Sequence, residues 1–253
     1  MTLLVYDATY EGFFTAIFEV YEYKFADAAI TRKEKPAGSL FGELHIVTTD
    51  EMKCNRVYGK LKEKLSKNGL KQLYDTWLSE LDEVDDVLLR FIRYVFNSQL
   101  AVENDFSNPD VLFVQQTSRK VHREKHRMEA FVRFQLTKDE LYYAIIQPDF
   151  NVLPLIARHF KNRYADQRWL IYDTRRKYGL YYDLNEVEEV QMEFATDLNN
   201  SDDLKLLYDD KEELYQQLWK QYFISVNIKA RRNMKLHIQH MPKRYWKHLI
   251  EKK

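Results

Sequence analysis

Apolar positions along the chain fall into alternating short runs and helical periods. Leu3 to Tyr6 is a short apolar run ending at Asp7, and Phe13, Phe14, Ile17, Phe18 and Tyr21 then recur at helical spacing behind Thr9. This predicts a strand and a helix capped by Thr9 or Asp7. A second strand is expected over Leu44 to Thr48, then a helix from Glu51 to about Ser66, capped by Thr49 or Asp50 and stopped by Asn68-Gly69. Two more helices, Lys71 to Leu81 and Val84 to Ser98, carry apolar residues at steps of three and four.

Pro109 suits a first helical turn, and the spacing predicts a helix to about Glu124 or slightly beyond. Strand-like alternation follows over Phe131 to Leu136 and again in Leu141 to Ile146, so Thr137 to Glu140 reads as a hairpin loop. Val152 to Tyr164 is expected to be helical, and Trp169 to Thr174 and Gly179 to Leu184 are read as strands joined by the basic turn Arg175 to Tyr178. Glu186 to Phe194 offers one more strand, and Lys211 to Ser225 an amphipathic helix before a basic tail. The predicted class is α+β: a largely helical N-terminal part packed with an antiparallel strand, strand, helix, strand, strand unit, made of hairpins rather than repeated βαβ units.

Composition narrows this picture. With 253 residues, 45% hydrophobic and 15% aromatic, the chain can fill a substantial core, and its 6 Gly and 5 Pro leave no flexible linker. A single domain over 1–253 is expected, with a possible subdivision into 1–108 and 109–253. Lys33 to Gly42 and Asp197 to Asp203 are the candidate boundaries. One cysteine, Cys54, excludes an internal disulfide framework and any cysteine-rich cluster. The N-terminus lacks a signal-peptide pattern and no run of 18 apolar residues occurs, so a cytoplasmic protein without membrane spans is expected.

The formal net charge of +0 hides segregation of charge. Arg119, Lys120, Arg123, Lys125, Arg127 and Arg133 form one basic block, and Arg158 to Lys177 a second that includes Arg163, Arg168, Arg175 and Arg176. Such clusters can neutralise phosphates, and the interleaved Tyr164, Trp169, Tyr172 and Tyr178 could stack on unpaired bases. The competing reading makes the aromatics core and the charges solvated faces. Nine Lys or Arg lie between Asn227 and Lys253, with Arg244 and Trp246 in a compact basic and aromatic string. That tail could grip nucleic acid or dock on the acidic stretch Asp183 to Glu213.

His122 to His126 spells HREKH, which invites comparison with zinc-protease helices. Glu124 lies roughly 200° around a helix from His122, so it cannot face a metal held by the two histidines. No metal and no cofactor are therefore expected. For proton transfer the candidates are His159, Asp166 and Asp173, with His126 as an alternative histidine. No glycine-rich phosphate loop and no nucleophile elbow occur.

The strings YDATYEGFFTAIFEVYE, HREKHRMEAFVRFQ, PDFNVLPLIARHFKNRYADQRWLIYDTRRKYGLYYD and LHIQHMPKRYWKHL resemble a bacterial family of unknown function assigned to DNA metabolism or DNA repair. Proteins similar to this one occur beside a radical SAM protein of DNA modification or repair, and in some bacteria as fusions to a uracil-DNA glycosylase-like domain. The resemblance implies DNA, single-stranded or damaged duplex, and a radical SAM protein as partners. The expected function is then a nucleic-acid-binding accessory in DNA repair or modification. In the fused relatives a glycosylase-like domain accompanies these strings, whereas here such activity is expected from a separate protein. Two alternatives stand beside this: an enzyme acting on nucleic acid through His159 or His126 with Asp166, and a purely protein-binding module.

Overall fold

In the computed structural model, which describes residues 1–32, 43–191, 212–226 and 234–252, the chain forms two compact units, Met1–His122 and Arg123–Lys253. The candidate boundaries at 33–42 and 197–203 lie outside the described residues, as do residues 192–194 and 211 of the expected last strand and helix, and Lys229, Arg231 and Arg232 of the tail.

The first unit is built on β1 (Thr2–Tyr6), whose Leu3, Leu4 and Tyr6 are buried. It pairs in parallel with β2 (Ala28–Arg32) and β3 (Glu43–Ile46), in the order β2-β1-β3. Parallel neighbours need crossovers, and α1 (Tyr10–Glu22) supplies the first. Its N-cap is Thr9, whose hydroxyl accepts from the Gly12 amide at 2.9 Å. β2 was not expected: only Ile30 of its five residues is buried, so the chain offers no alternation there, and pairing with β1 makes it a strand.

Around this sheet stand α2 (Glu51–Lys64), α3 (Lys67–Trp77) and α4 (Val84–Asn97). Asn68-Gly69, read as a helix stop, instead lies in the first turn of α3. Ser66 is the cap, its hydroxyl accepting from the Gly69 amide at 3.1 Å, while Glu103 accepts from the Ser66 hydroxyl at 2.6 Å. A Cβ on Gly69 would come within 2.8 Å of the Glu103 carboxyl, so the glycine makes room for this cap. A polar network fixes the sheet to α3 and α4: Trp77 Nε1 donates to Tyr6 Oη (3.2 Å), which donates to Asp85 (3.1 Å), and Arg32 pairs with Asp85 at 3.3 Å. Burial, reinforced by Asp85, pushes the Tyr6 phenol far above its ordinary value.

A long helix, α5 (Pro109–Phe131), begins in the first unit and ends in the second. It runs on to Phe131, further than the expected end at or slightly beyond Glu124, with Met128 buried on its core face, and so takes Phe131 from the expected strand. β4 is therefore only Gln135–Leu136. β5 (Tyr142–Ile146), β6 (Trp169–Asp173), β7 (Tyr178–Tyr182) and β8 (Val187–Gln191) complete a sheet of order β4-β5-β6-β7-β8. The α+β class is as expected, but the sheet is mixed. β5 and β6 are parallel, because α6 (Leu153–Arg163) carries the chain back between them, forming a βαβ unit where antiparallel strands were expected. β6 is buried at all five positions, as a strand covered on both faces must be. The described C-terminal elements are a helix Glu212–Val226, a short helix Met234–His240 and two 3-10 turns, Lys243–His248 and Ile250–Lys252. None of the described helices is long and apolar enough to cross a membrane.

Candidate functional site

The last turns of the chain fold back on the second unit, and the residue that holds them is Glu124. Its side chain is 1% exposed. One oxygen accepts from the Asp149 amide at 2.9 Å, and the other from Arg244 at 2.7 Å and from the Tyr245 hydroxyl. Arg244 also reaches Asp149 at 2.9 Å, and Tyr245, Leu249 and Ile250 are buried. Burial first, and Glu124 second, push the Tyr245 phenol well up. A second clasp joins Arg133 to Glu251 at 2.8 Å, with Trp219 Nε1 donating to the same carboxylate at 2.9 Å. Burial raises the Glu251 carboxyl, but the donors Arg133 and Trp219 outweigh it and hold the group below the usual range.

Beside this second clasp opens a cavity of about 670 Å³, within the range of small-molecule sites, roughly 300–1,000 Å³. α6 supplies His159, Phe160 and Arg163, with Tyr164 at its C-cap, spaced so that one face of the helix points at the space. Phe134 and Tyr142 come from the segment before β4 and from β5, and Tyr215 and Trp219 from the helix Glu212–Val226. The aromatics brace one another: Phe134 meets Tyr164 edge-on at 5.2 Å and Phe160 at 5.7 Å, while Phe160 and Tyr164 stack at 6.1 Å.

The polar lining is unequal. Arg133 is spent on Glu251, and Glu212 accepts from the Leu136 amide at 2.8 Å. Arg163 is exposed, its Nε 3.4 Å from the Tyr164 hydroxyl, and among the described residues it has no carboxylate partner. His159 sets Nδ1 3.7 Å from Glu129, which is itself paired with Lys125 at 2.6 Å. His159 Nε2 is buried without a hydrogen-bond partner among the described residues, leaving unused hydrogen-bonding capacity in the wall of the cavity.

The other residues singled out from sequence are dispersed. His126 is exposed (84%) and lies 3.7 Å from Glu129. Asp166 is exposed and does not line the cavity. Asp173 is fully buried at the end of β6, pairs with Arg176 at 2.8 Å and accepts from the Arg175 amide at 2.8 Å, so it holds the β6–β7 turn. Burial pushes its carboxyl up, against the pull of Arg176. Arg175 and Arg176 donate to the Asp149 carbonyl, and Arg127 lies 3.9 Å from Glu124. Trp169 is 0% exposed between Phe134, Phe160 and Tyr182, so it is core and offers no face to a base. Trp246 is half-buried, donates to the Met241 carbonyl and sits under Lys243 and Lys252. Arg119, Lys120 and Arg123 are exposed on α5, the first two in the first unit and Arg123 in the second.

Glu129, Phe134, Tyr142 and Trp219 surround the site without having been assigned to it, whereas Tyr164 was among the aromatics read as able to stack on bases. For Glu129 the only sequence signal is the four-residue step from Lys125, which any amphipathic helix shows. Among the described residues no group of three or more His, Cys, Asp or Glu could hold a metal ion.

A two-unit α+β chain with an aromatic cavity in its second unit is the class that fold and site define. The profile of the family described as a domain of unknown function, DUF4130, matches residues 82–251, and the chain belongs to that family. Comparison with curated proteins yields no match.

Proposed function

We propose that the protein is a nucleic-acid-binding accessory in DNA repair or modification, and that the cavity of its second unit receives an unstacked base. The observation that carries this is the pairing of aromatic walls, Phe134, Tyr142, Tyr164 and Trp219, with a rim arginine, Arg163, that has no carboxylate partner among the described residues. A flat ring gains stacking against such walls at roughly 1–3 kcal/mol per base, and a guanidinium without a carboxylate partner gives a flanking phosphate a charge-assisted contact. Arg123 of the same unit adds a second exposed cation. The radical SAM protein remains the partner we propose, on the strength of the resemblance.

The test is anisotropy of labelled single-stranded and duplex DNA across a salt series. Single strands are expected to bind more tightly, with affinity falling steeply with salt. Arg163→Gln is expected to reduce the slope of log K against log salt by about 0.7. Salt-insensitive or absent binding would overturn the reading. Retention of the radical SAM protein at low salt tests the partnership, and failure to associate counts against it.

A second reading rests on His159. Its partnerless Nε2, with Glu129 on the other side of the ring, suits a general acid or base acting on the bound nucleotide. Glu129, not Asp166, is then the orienting carboxylate. His159→Ala should abolish any turnover of bound DNA and leave binding intact; unchanged turnover rejects that role.

A further inference from the structure

The first unit contains a groove that the function above does not use and that precedes the matched span 82–251. Tyr10, Tyr58 and Tyr74 line it together with Lys62, Lys67, Lys71, Leu65 and Leu70, around a volume of about 710 Å³.

Its floor is a continuous bed of rings. Tyr10 meets Phe14 at 4.6 Å, Tyr74 at 5.0 Å and Trp77 at 5.0 Å, and Phe14 continues to Tyr58 at 5.6 Å. The hydroxyls of Tyr10 and Tyr58 make no hydrogen bond to any described residue, although each is attached to a ring held in place by its neighbours. The lining holds no carboxylate. Lys71 is neutralised by Asp75 at 2.6 Å, but Lys62 and Lys67 have no carboxylate partner among the described residues. Lys62 rests its ammonium 4.4 Å over the ring of Tyr58. A flat ring laid on Tyr58 would displace that ammonium and free it for an anion, so the cation and the aromatic face become available together. The N-terminus of α3 does not compete for the anion, since Glu103 already occupies its cap.

We infer that this groove is a nucleotide site, with the base on Tyr10 and Tyr58 and the phosphate between Lys62 and Lys67. The chemistry requires both parts of the ligand. A nucleoside lacks what the lysines offer, and inorganic phosphate leaves the tyrosine bed uncovered. The source is either a free nucleotide or one unit of a strand, and strand binding here would deepen the function proposed above.

The test is titration calorimetry on the full chain with thymidine monophosphate, thymidine and inorganic phosphate as separate probes, alongside anisotropy with a short labelled thymidine oligonucleotide. The monophosphate is expected to bind saturably and more tightly than either fragment. The double variant Lys62→Gln and Lys67→Gln, changing two exposed side chains and checked for an unaltered melting curve, is expected to weaken it about tenfold or more. A parallel loss of oligonucleotide binding assigns the site to a strand; loss confined to the monophosphate assigns it to a free nucleotide. Tyr164→Ala separates the two sites. Should it abolish monophosphate binding while the lysine variant does not, this inference falls and the cavity of the second unit stands. Absence of monophosphate binding, or binding indifferent to the lysine variant, overturns it outright.

Discussion

Glu124 and Glu251 are buried carboxylates that hold the C-terminal turns. Glu124 drew attention as the middle of HREKH, and helical geometry removed it from any metal site without saying where it went. It serves as the anchor of the C-terminal turns, some 120 residues away in sequence, through Arg244 and Tyr245. Without Glu124 the Asp149 amide and the buried Tyr245 hydroxyl lose their acceptor, while the partly exposed Arg244 keeps Asp149, so Glu124→Ala should cost about 1–3 kcal/mol in urea unfolding. A loss under about 1 kcal/mol would mean that the turns are held elsewhere. Glu251 gives a pH-dependent counterpart. Its carboxyl sits below the ordinary range in the folded chain, so its contribution is complete above the unfolded-state value of roughly 4.3 and disappears as pH falls through the lower folded value. Glu251→Gln should therefore lower Tm at neutral pH, and the difference should shrink steadily as the solution is acidified below about pH 4. A difference that widens in acid would contradict the sign.

At the scale of elements, most of the architecture was legible where a period is long and one-sided. α4 begins at its expected first residue, Val84, and ends one residue short of the expected Ser98, because Val84, Val87, Leu88, Phe91, Ile92 and Val95 share a face. β2, with one buried residue, was invisible, and so was the parallel sense of β5 and β6, since the local alternation of a strand is the same in either direction. The cavity was legible only in part. His159, Arg163 and Arg133 were singled out by charge and Tyr164 as an aromatic among arginines, whereas Phe134, Tyr142 and Trp219 look like core in any sequence and become a site only when several elements leave a space between them. Trp169 went the other way, since an aromatic among arginines reads as a stacking platform until β6 proves to be covered on both faces. The crowding at β6 and β7 yields a prediction of its own. A Cβ at Gly179 would sit 2.8 Å from the Ile171 carbonyl oxygen and 3.3 Å from the Tyr172 Cα, both backbone atoms that cannot swing away. Gly179→Ala should destabilise the protein by about 1–3 kcal/mol despite the better strand propensity of alanine; a neutral or stabilising effect in chemical denaturation would show that β6 yields.

Across the whole molecule, a formal charge of +0 conceals local imbalance. Several of the cations that suggested a polyanion surface are internal fasteners: Arg133, Arg176 and Arg244 each close a contact with a buried carboxylate. Exposed cations without a carboxylate partner among the described residues include Arg119, Lys120, Lys62 and Lys67 in the first unit and Arg123 and Arg163 in the second, of which the two proposed sites use Arg123 with Arg163 and Lys62 with Lys67. Fewer free cations mean a shallower salt dependence than the count of basic residues suggests. Two phosphate contacts in one unit correspond to a slope near −1.4 for a single strand, and all four to about −2.8. A slope far beyond this, with Arg163→Gln leaving it unchanged, would place the phosphates elsewhere.

The central claim, that a base enters the cavity of the second unit, is met most directly by photocrosslinking a single-stranded oligonucleotide carrying one 5-iododeoxyuridine and mapping the adduct by mass spectrometry. The account predicts attachment at Tyr164, Phe134, Tyr142 or Trp219, abolished by competing unlabelled strand. Adducts confined to residues outside that cavity would contradict it.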